Sequence, residues 1–205
     1  MAISYPLSLP ARTARRVTFH ARSTVGRSVS PFTGEQQVYV HQGEWWECEV
    51  ELPPMEVDDA EEWVSFLVSL NGQEGTFLMG DPAGATPRGI ATGTPLVSGG
   101  SQTGKTLATK GWTAGVTNIL KAGDWLQLGT GSSSHLHKVV AAANSDGSGL
   151  ASLEIWPRLR SSPAADAAIV VSAAKGLWSL AGNDNPWTID LARIYGMSFT
   201  CREAL

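Results

Sequence analysis

The chain has 205 residues, of which 42% are hydrophobic and 17% charged, and a formal net charge of −4. That balance, with eight Trp, excludes a disordered chain, and the length admits one or two domains with a core that needs neither disulfides nor metal. Cys48 and Cys201 are too few for a disulfide scaffold or a structural zinc site, no apolar run approaches the roughly 20 residues of a membrane span, and the first residues lack the apolar stretch of a secretory signal.

In chain order, the first half reads as strands. Residues 14–23, with Val17, Phe19 and Ala21 in partial alternation, and residues 36–52 have strand composition. In the second run Trp46, Cys48, Val50 and Leu52 share one face and Glu47, Glu49 and Glu51 the other, the pattern of a half-buried strand with an acidic outer face. Pro31 and Gly34 mark the turn between them. Residues 58–72 are the one convincing helix. Asp58 or Asp59 is placed to cap it, Glu61 and Glu62 to favour its dipole, and Trp63, Phe66, Leu67 and Leu70 form its buried stripe. Asn71-Gly72 supplies the stop.

A short strand ending at Asp81-Pro82 comes next, and the texture then changes. Residues 82–106 are rich in Gly, Thr and Pro and read as a loop-dominated boundary. Short strands at 117–123, 124–130, 137–144 and 149–160 succeed it, the pattern of a small β-barrel or sandwich. Residues 167–182 and 186–205 supply the last strands. The expected fold class is mainly β with one helix, in two parts.

Charge is segregated along these elements. Residues 1–30 carry Arg12, Arg15, Arg16, Arg22 and Arg27 and no acid, whereas 31–62 carry ten acids and no Lys or Arg. A basic segment beside an acidic one fits a nucleic-acid arm. The Arg residues are interleaved with strand formers, however, without a dense basic cluster, so opposite charges pairing on adjacent strands, within the fold or between subunits, is the favoured reading.

The sharpest motif is Gly99 to Thr106, which satisfies the phosphate-loop pattern through Gly99, Gly104, Lys105 and Thr106. A working loop needs a buried strand before it and a helix after it, whose N-terminus faces the phosphates. Pro95 interrupts the preceding segment, and Gly111 and Gly115 come after it with no helical stripe, so the match is read as a decoy and no cofactor is expected. His135 and His137, two apart in a strand, face one side and would need a third ligand to hold a metal. They read as half-exposed strand histidines, and His20 and His41 show no partners. The acids at 56–62 belong to a helix start rather than to a pair facing across a cleft. Cys48 lies on an apolar face and reads as core, and no nucleophile elbow is present. No enzyme activity is expected. The Trp residues read as core or subunit contacts, with sugar stacking as the rival use.

Several stretches together resemble a known family. Leu120 to Gly129, Lys138-Val139-Val140, the turn Asn144 to Gly149 and Leu153 to Arg160 are similar to segments of siphophage tail-tip and distal tail proteins. The run from Glu44 to Met55 with its helix, residues 75–82 and the closing Met197 to Leu205 are similar as well. The resemblance implies a tube-like β-sandwich with one packed α-helix (residues 1–81 and 170–205), interrupted by a small β-barrel with a long Gly/Thr-rich loop (82–169). It implies pairing of strand 197–203 with strand 45–52. It further implies a structural virion protein of the phage tail, made in the bacterial host cytoplasm. This would be a distal tail ring subunit, assembled as a homohexamer between the tail tube protein and the tail hub or tip proteins, with DNA passing through its lumen. Arg12, Arg15, Arg16, Glu47, Glu49 and Glu51 are the candidate subunit contacts, and an acidic lumen would repel DNA in transit. The alternative is a carbohydrate-binding tail-tip module using Trp112 or Trp156.

Overall fold

The computed structural model describes residues 3–205. It is mainly β, with one α-helix among the described residues and two sheets. The strands are β1 (Leu7–Ser8), β2 (Arg16–Val29), β3 (Gln36–Glu51), β4 (Thr76–Met79), β5 (Gly93–Val97), β6 (Gly104–Trp112) and β7 (Trp125–Leu128). They continue with β8 (His135–Val139), β9 (Ala151–Leu159), β10 (Ile169–Val170), β11 (Gly176–Leu180), β12 (Trp187–Ile189) and β13 (Tyr195–Glu203), and α1 spans Val57–Ser69.

The first sheet runs β1-β4-β11-β13-β3-β2, with β12 paired to β13. Strand β13 lies antiparallel to β3, with Ser198 opposite Glu51, Cys201 opposite Cys48 and Arg202 opposite Glu47. Because side chains alternate along a strand, Trp46, Cys48 and Val50 share a face with Phe199, Cys201 and Glu203. That face is covered by α1 at one end and by the second sheet at the other. Trp63, Phe66, Leu67 and Leu70 of the helix side join Phe77 and Phe199 in one core cluster, which also takes in Trp46, Trp125, Leu136 and Trp178. The opposite face is polar.

The second sheet runs β10-β7-β8-β9-β6-β5. It all but closes on itself: Leu96 bridges Ala168, and the Val97 amide donates to the Ala167 carbonyl at 2.9 Å. Its interior is a separate cluster that includes Leu107, Ile119, Leu120, Leu126, Val139, Leu153 and Ile155.

Four local expectations are corrected. The helix starts one residue earlier than expected, so Asp58 and Asp59 stand in its first turn rather than capping it; the N-cap is Glu56 without a side-chain cap bond. Residues 82–106 are not all loop, since they hold β5 and the start of β6. Pro95 is tolerated in β5 because that edge strand shifts register between Gly93 and Leu96. Residues 117–123 form turns with a single bridge, Leu120 to Ala143, instead of a strand. The β2–β3 pair runs longer than its apolar alternation, into a segment with no third strand beside it among the described residues. The helix stop holds, with Asn71 and Gly72 at φ of 48° and 67°.

Candidate functional site

The phosphate-loop match spans the connection of a β-hairpin and the start of its second strand. Gly99 and Gly104 take φ of 79° and 87° on either side of the β5–β6 connection, and the element after the turn is the antiparallel strand β6 rather than a helix. Lys105 on that strand puts Nζ 2.6 Å from Glu44 Oε1, and Thr106 Oγ1 donates to Glu154 at 2.9 Å. Both groups that would serve a phosphate are bonded to carboxylates, and no helix N-terminus among the described residues faces the loop.

Glu44 belongs to a buried polar junction between the two sheets. Arg160, just beyond β9, donates from Nη1 and Nη2 to the two carboxylate oxygens of Glu203, each at 2.7 Å, and from Nη2 to the Glu44 carbonyl at 2.5 Å. Glu203, 2% exposed, also accepts the Trp46 amide at 3.1 Å. Glu44 Oε2 accepts the Arg158 amide at 2.9 Å. Two carboxylates thus enter the interior, each met by a cation and a backbone N–H, which is what buried charge requires.

His135 and His137 line a cavity of about 270 Å³ beside this junction, with Leu128, Leu159 and Arg160. His137 is buried, not half-exposed as its strand position implied. Its Nδ1 donates to the Pro157 carbonyl at 2.8 Å, and burial pushes its pKa down to about 4, so the ring is neutral. Burial also lowers the pKa of His135, whose Nδ1 has no hydrogen-bond partner among the described residues. No group of three His, Cys, Asp or Glu side chains able to hold a metal occurs among the described residues. Cys48 and Cys201 face each other across β3 and β13 in the core; burial and the neighbouring thiol push the Cys48 thiol up, so it is no thiolate.

The candidate charged contacts are engaged within the chain. Arg15 and Arg16 reach Glu51 at 3.4 and 3.0 Å, Arg22 reaches Glu47 at 2.7 Å, and Arg12 reaches Asp59 at 3.2 Å. His20 Nε2 lies 3.3 Å from Glu49 Oε1. The hydrogen bonds from Trp45 Nε1 and Arg22 hold the Glu47 carboxyl below its usual range. The acidic face of β3 is therefore largely matched within the fold by the basic β2 beside it, where the two charge blocks had left pairing within the fold or between subunits open.

The two Trp offered for the rival use, sugar stacking, are packed against other side chains. Trp112 is buried and donates to Thr109 Oγ1 at 2.7 Å, and Trp156 stands edge-on to Trp46 with centroids 4.3 Å apart. Trp112 thus offers no open ring face, and Trp156 is partly buried.

What the molecule does expose is an arm. Past Ser23 and Glu44 the β2–β3 pair continues as a two-stranded ribbon, bent by a register shift between Ser23 and Val25 and closed by a turn in which the Gly34 amide donates to the Ser30 carbonyl. Residues 31–42 are all exposed. The register sets Val25 opposite Val40, Arg27 opposite Val38 and Val29 opposite Gln36. Alternation then gathers Val25, Val29, Val38 and Val40, with Arg27 and Gln36, on one face and leaves Gly26, Ser28, Gln37 and Tyr39 on the other. Val40 is 70% exposed, and Phe32 at the tip 94%. An isolated two-stranded ribbon is marginal in water, and one with a bare valine face is a surface awaiting cover.

The fold and this surface define a β-rich protein with an exposed two-stranded arm. No protein-family model matches the chain, and no curated protein matches it. No helix among the described residues is long and apolar enough to cross a membrane.

Proposed function

We propose that this chain is a structural subunit of a long-tailed phage tail, the distal tail ring protein that joins the tail tube to the tip apparatus around a lumen for DNA. The observation that carries the reading is the β2–β3 arm, an amphipathic ribbon whose valine face has nothing of its own chain to cover it among the described residues. A protein that works alone gains nothing from such a face, whereas a subunit uses it to hold a neighbour. The similarity of Leu120–Gly129, Leu153–Arg160 and Met197–Leu205 to distal tail proteins supplies the context. In this reading the arm, rather than the ion-paired Arg12, Arg15, Arg16, Glu47, Glu49 and Glu51, makes the main subunit contact. The protein has a scaffolding role and sits in the virion, beside the tube protein above and the hub below.

Peptide mass spectrometry of purified virions, with electron microscopy of the isolated chain, tests this. The expected result is the chain in tails at a stoichiometry of six, and closed rings with a central opening. Its absence from virions of a phage that encodes it refutes the reading.

A further inference from the structure

Strand β3 orders the first sheet from end to end. Its outer half forms the arm, and its inner half pairs with β13 from Arg202 down to Ser198. At the far end the Leu52 amide donates to the Met197 carbonyl, and Met197 is in turn opposite Trp187 of β12. From Val38 to Leu52 is fourteen positions of extended or near-extended chain, roughly 45 Å at the strand rise. The arm and β12 therefore sit at opposite ends of one sheet.

The β12 end carries its own exposed apolar patch. Trp187 and Ile189 point to one side of the strand while Thr188 points to the other, where its Oγ1 donates to the Gly196 carbonyl, and Leu191 beyond them is fully exposed. Asp190, next to Ile189, forms no ion pair among the described residues, and its Oδ1 accepts the Ile194 amide at 2.9 Å; Asp184 lies on the Thr188 side, in a groove with Arg15 and Arg16. On the arm, Arg27 stands within the valine face and is likewise without an ionic partner among the described residues. Apolar surface with a cation at one end of the molecule thus matches apolar surface with an acid at the other.

We propose that the valine face of the arm docks on the Trp187, Ile189 and Leu191 patch of a second copy of this chain, with Arg27 set against Asp190. The separation of the two surfaces prevents an arm from reaching its own patch. The contact joins unlike surfaces, so each copy offers one arm and one patch, and the assembly propagates head to tail until a ring closes. This deepens the proposed ring role, and rests on it only for the closure.

The test uses two full-length variants, Val38→Asp and Trp187→Asp, each at an exposed position that leaves the core intact. Each is expected to weaken self-association roughly 30-fold or more, the effect of a charge at the centre of an apolar contact. Thermal unfolding should be unchanged for both. Mixed together, the two variants are expected to form a 1:1 dimer, because one intact arm and one intact patch remain between them. Disulfide trapping of Val38→Cys with Ile189→Cys should then give a bond between positions 38 and 189. Three results overturn the docking: a wild type that stays monomeric at its highest soluble concentration, variants that assemble like the wild type, or a mixture that stays monomeric. Assembly that survives both substitutions, with the chain present in virions, would remove this contact and leave the ring reading standing. Absence from virions would remove the ring reading whatever the variants do.

Discussion

Replacing Arg160 by Met removes the cation at the centre of the junction between the sheets. Glu203, 2% exposed, then keeps only the Trp46 amide of its three hydrogen bonds, and the Glu44 carbonyl loses its guanidinium donor. Stripping the partner from a buried charge costs about 3–5 kcal/mol. The Arg160 side chain is 23% exposed, so water reaches the vacated position and the lower end, about 3 kcal/mol, applies. Guanidinium unfolding followed by Trp fluorescence reads this directly, because Trp46, Trp125, Trp156 and Trp178 cluster at the junction. With an m-value of about 5 kcal/mol/M the midpoint falls by roughly 0.6 M. Adding Glu203→Gln to Arg160→Met should recover about 2 kcal/mol, since the amide oxygen still accepts from Trp46 and no unpaired charge is left buried at position 203. A single substitution costing under about 1 kcal/mol, or a double variant less stable than the single, would refute the reasoning.

The same region yields two further expected outcomes. His137 titrates at about 4 in the folded chain against 6.5 when unfolded, so the unfolded state binds more protons between these values. Its contribution is complete above pH 6.5 and falls away as pH drops toward 4, by about 3 kcal/mol in all at about 1.4 kcal/mol per pH unit. His137→Asn should flatten the pH dependence of the unfolding midpoint across that window, and an unchanged slope would assign it to other groups. Lys105→Ala should lower stability by about 1 kcal/mol, a modest figure because Lys105 is half exposed and its pairing with Glu44 is screened. Nucleotide titration by calorimetry should show no saturable heat for either protein; binding that the substitution abolishes would restore the phosphate-loop reading.

Much of the fold was legible because it is written in local periods. Alternation at Trp46, Cys48, Val50 and Leu52 and the helical stripe of Trp63, Phe66, Leu67 and Leu70 both name buried faces, and the structure buries all eight. The same rule, applied to acids, carried a signal that went unread. Glu44 has the parity of Trp46 and Cys48, and Glu203 that of Phe199 and Cys201; a carboxylate on a core face announces a buried partner. Which partner it finds was not readable, since Arg160 lies 116 residues from Glu44 and 43 from Glu203. The phosphate-loop match is a related case: eight residues specify a pattern, the flanking segments marked it as a decoy, but only the strand after it decides that Lys105 meets Glu44.

By itself, the sequence determined the strand-rich class, the single helix and its stop, and the pairing of basic with acidic strands, because these depend on neighbours a few positions apart or on charge placed on adjoining segments. Tertiary structure alone decided that Glu44, Lys105, Arg160 and Glu203 converge between the sheets and that His137 is buried. It also decided that the valine face of the arm and the Trp187 patch stand at opposite ends of one sheet. Those outcomes depend on the register of strands far apart in the chain, and register is a property of the assembled sheet that no local window contains.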